Sequence, residues 1–252
     1  GDPLFIKQGR GIKPTPTALK LWQQTRAPLE TIRDAANKDQ FNPATTKRTF
    51  RIAATDFAID MLWLPLLKTL EKEAKDIDIH AVPYTMNSDV LKEARADLII
   101  DIHLRSDTAL NATRLFDNHY VCAMRHDHPL AGRAMDMNSF VNANHLLMSL
   151  SGEASGEVDR LLAMQGLKRR IACTVNHFSG IASLLINSNL ITVIPRPAIE
   201  HAIRAKQLFV TAPPMSIAPA PISMIWHHRN NRDQGLKWLR EKIVMLALQQ
   251  RH

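Results

Sequence analysis

The side chains best suited to chemistry in this chain stand where apolar runs stop. Thr55 and Asp56 follow the strand-like run TFRIAA, Ser149 and Ser151 stand at the end of a second run at 145–150, and His177 and Phe178 follow a third at 171–175. Hydroxyls, imidazole and helix-start N–H groups at such boundaries suit a polar ligand, and a phenylalanine beside them stacks on an aromatic ring. Tyr84 and Thr85 follow the run at 77–82, and Ile102 and His103 close the run DLIIDI. Residues just past central strands of an α/β sheet look into the same gap. Each group also has a plainer reading. Thr55 and Asp56 suit the cap of the helix that follows, an isolated histidine is more often structural, and core or surface placement is the default for Tyr84, Thr85, Ile102 and His103. Asp56 opposes an acidic ligand, because two carboxylates in a dry cleft repel unless a proton or a cation intervenes.

Enzyme chemistry has little support. The chain holds no GxSxG elbow, no GxGxxG, no P-loop and no HExxH. His126-x-His128 and the adjacent His227-His228 lack a third ligand at workable spacing, and Cys122 and Cys173 form no CxxC, so neither a metal site nor a disulfide framework is expected. Asp97 and Asp101 flank an apolar strand without needing a catalytic role. Trp22, Trp63, Trp226 and Trp238 are too scattered for a base-stacking platform. No catalytic residue and no cofactor is expected.

Several kinds of element must position these groups. Leu4 to Ile6, then Gly9-Arg10-Gly11, then Ile12 read as strand, glycine turn, strand, with Lys7, Arg10 and Lys13 placed to meet phosphate or a minor groove; a disordered basic leader fits the same pattern. From Pro14 the text becomes helical: Thr15 caps, Pro16 suits the first helical position, and Ala18, Leu21, Trp22, Leu29, Ile32 and Ala36 recur at helical spacing. Pro28 is predicted to bend or interrupt that helix. A long amphipathic helix with nothing before it to pack on is expected to pair with another chain. Residues 37–47 are a polar linker.

Strands and helices then alternate. Strands at 49–54, 77–82 and 97–102 with helices at 59–70 and 88–95 imply a parallel sheet; Pro65 leaves the start of the first helix open. The rhythm restarts with strands at 120–124, 145–150, 171–175, 190–194 and 208–211 and helices at 154–165, 178–187 and 197–205, before a last strand at 222–226 and a helix at 235–249. Two α/β units, with the last strand and helix returning to the first, make a two-lobed clamp with its cleft outside the strand C-termini.

Charge supports this division. Residues 1–51 hold ten Lys/Arg against four Asp/Glu, residues 226–252 six against two, and the middle sixteen against eighteen. The positive field belongs to the ends, unlike that of a uniformly basic RNA binder. No run of 18 apolar residues and no signal-peptide core are present, so the chain reads as cytoplasmic unless a leader was removed; a start at Gly1 suggests processing or a boundary.

The series DPLFIKQGRGIKPTPTA, RTFRIAATD, RLFDNHYVCAMRHDHPLA, SGEVDRLLAMQGLKRR, VNHFSGIASLL, LITVIPR and WHHRNNRDQGLKWLRE resembles, in order and spacing, the LysR-type transcriptional regulators. It is most similar to the subgroup responding to salicylate and nitroaromatics together with the nodulation regulators. The resemblance implies an α/β, two-lobed effector domain like the type 2 periplasmic binding proteins, preceded by a wing remnant and a linker helix. It divides the chain into a remnant of a winged helix-turn-helix (1–13), a linker and dimerisation helix (14–38), a hinge (39–47), effector subdomain I (48–118 and 223–252) and effector subdomain II (119–222). It implies a small-molecule effector between the lobes, for which strand-end placement makes Thr55, Asp56, Tyr84, Thr85, Ile102, His103, Ser149, Ser151, Ser155, His177 and Phe178 the candidates.

Aromatic-acid responders in the subgroup carry a His-Phe pair like His177-Phe178 that contacts effector, and a second histidine where this chain has Ser155, a departure that argues against salicylate. Expected partners are the effector, a second copy in a homodimer or tetramer, and, for the complete regulator, DNA. With the helix-turn-helix expected to lie before Asp2, operator specificity is not expected of this stretch alone. The alternative is a stand-alone solute-binding protein of the same fold, against which the wing-like start and linker helix argue.

Overall fold

The computed structural model describes residues 3–8, 11–36, 41–84, 89–101 and 107–249. The chain opens with a hairpin of β1 (Phe5–Gln8) and β2 (Gly11–Pro14), paired antiparallel with Phe5 opposite Pro14 and Gln8 opposite Gly11. The hydroxyl of Thr15 donates to the carbonyl of Pro3 (2.9 Å) and accepts from the N–H of Ala18 (3.2 Å), tying the hairpin to the start of α1 (Pro16–Ala36). Pro28 does not interrupt this helix, which continues through it with the loss of one backbone hydrogen bond.

The first lobe is a five-stranded sheet in the order β4-β3-β5-β12-β6, built from β3 (Arg48–Ala54), β4 (Ile77–Val82), β5 (Leu98–Asp101), β6 (Leu110–Asn118) and β12 (Ala220–His227). β3 pairs parallel with β4 and β5, as the β-α-β-α-β text predicts, whereas β12 runs antiparallel to β5 and β6. Strand β3 is buried on both faces. Phe50, Ile52 and Ala54 point into the core formed with α2 (Asp56–Glu73) and α8 (Gln234–Gln249), where they meet Leu62, Leu66, Leu239 and Ile243. Ala53 points to the opposite core, with Val90 and Leu91 from the short α3 (Asp89–Lys92). Such two-sided burial is what the near-continuous apolar run anticipates. Helix α2 runs through Pro65, whose carbonyl takes the Thr69 hydroxyl at 3.0 Å.

The second lobe is another five-stranded sheet, ordered β11-β7-β10-β8-β9, from β7 (Tyr120–Arg125), β8 (Asn144–Met148), β9 (Arg170–Val175), β10 (Leu190–Pro195) and β11 (Leu208–Thr211). Helices α4 (Met137–Asn142), α5 (Glu157–Ala163), α6 (Ile181–Ile186) and α7 (Glu200–Arg204) cover its faces over two apolar clusters, one around Leu146, Ile181, Leu185 and Ile194, the other around Met124, Phe140 and Leu162. A polar core joins helix to sheet here. Buried Arg169 holds Asp159 with two 2.8 Å hydrogen bonds and approaches Nδ1 of His145 at 3.2 Å, while Nε2 of His145 lies 2.8 Å from the Phe140 carbonyl. Burial pulls the His145 pKa down to about 4.

The chain passes between sheets at His119 and again between β11 and β12. The structure adds β6 and α4, which the sequence reading does not contain, and begins α6 at Ile181 rather than Phe178. Strand β12 joins the first sheet from Ala220, so its first residues lie inside the stretch expected to end the second lobe.

Candidate functional site

The strand-end residues can now be placed. Thr55 leaves β3 with extended backbone, and its hydroxyl oxygen accepts the Ala58 N–H at 3.3 Å, so the residue is the cap of α2. Capping uses the oxygen and leaves the hydroxyl proton to donate. Asp56, the first residue of α2, turns its carboxylate across the gap: Oδ2 accepts the backbone N–H of Ser179, in the connection between β9 and α6, at 2.8 Å. Beside this bridge the rings of Phe57 and Phe178 lie with centroids 5.3 Å apart, tilted by 41°. Phe57 is buried in the first lobe, and Phe178 packs against the cores of both lobes. The C-terminal ends of β3 and β9 therefore face each other, joined by one charge-assisted hydrogen bond and one aromatic pair.

On the second lobe Ser149 is buried. Its N–H donates to the Val175 carbonyl (2.8 Å), and its hydroxyl lies 3.3 Å from that of Ser151, which also accepts the Glu153 N–H at 3.3 Å. Thus Ser149 and Ser151 form a polar pair beside the end of β9. His177 is exposed in the same connection as Ser179. Ser155 is exposed ahead of α5, whose first turn is instead closed by Asp159, accepting the Gly156 N–H at 2.9 Å. Tyr84 is half-buried against the cluster around Val90 and Ile99. Thr85, Ile102, His103 and Arg10 lie outside the described residues. In the hairpin Lys7 stands opposite Ile12 and Lys13 opposite Ile6. Directly opposed residues share a face and successive ones alternate, so the two lysines project from opposite faces of the ribbon.

The histidine pairs are occupied otherwise. His128 is buried, with Nδ1 accepting the Leu130 N–H at 3.1 Å and Nε2 lying 3.2 Å from the Asn189 carbonyl. Nδ1 of His227 accepts the Arg229 N–H, and Nδ1 of His228 lies 3.0 Å from the Ala109 carbonyl. Among the described residues no group of three or more His, Cys, Asp or Glu side chains is arranged to hold a metal ion. Both cysteines are free thiols; burial pushes Cys122 up to about 12.

Two interlobe contacts had no signal in the sequence reading. Ser179 acts through its backbone N–H, which no residue type announces, and Phe57 reads as an ordinary core residue of α2.

Comparison with known proteins bears on this arrangement of paired lobes. The LysR substrate binding domain family matches residues 43–245. The chain belongs to the LysR-type transcriptional regulators. Among curated relatives, the HTH-type transcriptional activator NagR of a Ralstonia species is 34% identical, the match covering 97% of this chain and 82% of that protein. NahR of Pseudomonas putida, also an HTH-type transcriptional activator, is 28% identical over 97% of the chain and 83% of its own length. Among solved structures, the probable transcriptional regulator PA0477 of Pseudomonas aeruginosa is 26% identical with a TM-score of 0.81, covering 95% of this chain and 80% of that one.

As a LysR-type regulator the chain has the α/β, type 2 periplasmic-binding-like effector domain of that family, and its relatives are transcriptional regulators rather than enzymes. Among the described residues no helix is long and apolar enough to cross a membrane.

Proposed function

We propose that this regulator senses a small, uncharged, hydrogen-bonding effector between its lobes and passes the signal on through its quaternary arrangement. The supporting observation is the Asp56–Ser179 bridge. It brings the C-terminal ends of β3 and β9 face to face, with Thr55 on one side and Ser149, Ser151 and His177 on the other. Donors and acceptors from both lobes suit a ligand that is itself both donor and acceptor. An acid at this point would set a second carboxylate beside Asp56 and compete for the N–H that Asp56 already holds. The departure at Ser155 points the same way. An effector that prefers one lobe angle shifts the population of that angle, and only this preference, not affinity alone, drives a response.

Helix α1 exposes Leu19, Leu21, Trp22, Leu29 and Ile32, an apolar surface that suits a homodimer with the same helix of another copy. The hairpin carrying Lys7 and Lys13 then adds phosphate contacts to DNA held by the complete regulator. Thermal-shift screening of uncharged phenols and amides tests the effector class. Compounds of that class should stabilise the chain in proportion to their occupancy; stabilisation by aromatic acids alone, abolished in His177→Ala, would reverse the proposed preference.

A further inference from the structure

Where the lobes meet, their contacts lead away from the crossing of the chain. Nearest the crossing, the Arg196 N–H donates to the His119 carbonyl at 3.1 Å, and Ala198, in the turn Arg196–Ile199, packs against the apolar cores of both lobes. The outer contact comes from the end of β9, the edge of the second sheet. That strand stands two places beyond β10 in the order β10-β8-β9, and so roughly 10 Å farther out. Here Phe178 meets Phe57, and Asp56 takes the Ser179 N–H at 2.8 Å. Rotation about the crossing moves this outer contact most, so it is the contact that sets the lobe angle.

The two sides of the contact are held unequally. On the first lobe, Asp56 opens the 18-residue α2 behind its Thr55 cap, and Phe57 is part of the core. On the second lobe, Ser179 and Gly180 are exposed, and nothing lies within 4 Å of where a side chain on Gly180 would begin. The donor is therefore held by the carboxylate of the opposite lobe more than by packing within its own. Among the described residues this is the one hydrogen bond of the Asp56 side chain. Its charge is met by the Ser179 N–H and by the start of α2, with no cation between.

We infer that Asp56 is a built-in latch: its carboxylate serves as a tethered ligand for the donor at the end of β9 and holds the lobes together from within the chain. Every group in the contact belongs to the chain, so closure needs no effector. The inference deepens the effector reading above, since a molecule at the gap then works on a clamp that is already closed. It is tested on the chain alone, and so fails separately from that reading.

Double electron–electron resonance on the full chain, diluted into unlabelled chain, measures the lobe angle. Spin labels go on Lys75→Cys and Lys168→Cys, exposed positions two residues before β4 and β9 and so at the outer ends of the lobes. The background is Cys173→Ser, and Cys122 is buried. One narrow distance distribution is expected with Asp56 in place. Asp56→Ala should lower the closed-to-open ratio at least about tenfold and add a second distance. Asp56→Asn, whose amide oxygen still accepts, should keep most of the narrow population. Thr55→Ala removes the cap of α2 but leaves the carboxylate, and should leave the distance unchanged. Hydrogen exchange in Asp56→Ala should speed up at Ser179, while 98–101 and 190–195 keep their protection because both lobes stay folded. A distribution in Asp56→Ala that matches the wild type, a broad distribution with Asp56 in place, or a change in Thr55→Ala as large as in Asp56→Ala would each overturn the latch.

Discussion

At the scale of single residues, buried polar groups carry the clearest consequences. His145 is folded with a pKa near 4, against about 6.5 in an unfolded chain. Between those values the unfolded chain takes up a proton that the folded chain refuses, so this contribution to stability is complete above about pH 6.5 and is lost progressively towards about pH 4, amounting to roughly 3 kcal/mol. Urea midpoints measured from about pH 7 to about pH 4 should therefore fall with acidification, and His145→Gln, which keeps a donor for the Phe140 carbonyl, should flatten the upper part of that fall. The two thiols differ in a related way. Buried Cys122, with its pKa pushed up to about 12, should resist iodoacetamide in the native chain while half-exposed Cys173 reacts; peptide mass spectrometry distinguishes them. The strand-end positions of Thr55, Asp56, Ser149 and His177 were legible because each stands where an apolar run stops, a local signal, and Thr55 adds the cap of α2. That Asp56 reaches Ser179 was not, because its partner is a backbone N–H 123 residues away.

Elements explain where the sequence text was clear and where it was silent. β3, β4 and β5 read plainly because parallel strands buried on both faces are continuous apolar runs. β6, LNATRLFDN, is an edge strand whose inner Leu115 and Phe116 are adjacent rather than alternating, and its partner β12 slips register between Ile222 and Ser223, so period-two patterning fails on both sides. α4 is six residues long, too short for helical periodicity, and is secured by Asp136 accepting the Ser139 N–H at 2.8 Å. Two element-scale changes follow. Thr55→Ala removes the cap of α2 and should lower unfolding stability by about 1 kcal/mol, with Thr55→Ser restoring most of it. On α1, Trp22→Asp places a charge on the exposed apolar surface and should move sedimentation equilibrium towards monomer, whereas a wild-type chain that is monomeric at micromolar concentration would remove the assembly proposed for that helix.

For the whole molecule, the design is two sheets joined at His119 and between β11 and β12, with a contact at the far ends of β3 and β9 that fixes how the lobes meet. On the proposed function, an effector acts by changing the lobe angle, and the Asp56 bridge is the point at which it does so. Asp56→Ala should loosen the lobes and raise the radius of gyration in small-angle scattering, while leaving each lobe's core intact. Under the same proposal the basic ends would serve DNA and assembly and the middle, close to neutral, sensing. The interlobe site is tested most directly by calorimetric titration of the strongest uncharged thermal-shift hit into wild type and His177→Ala. Saturable binding that weakens at least about tenfold in His177→Ala is expected; equal affinity in wild type and His177→Ala would contradict it.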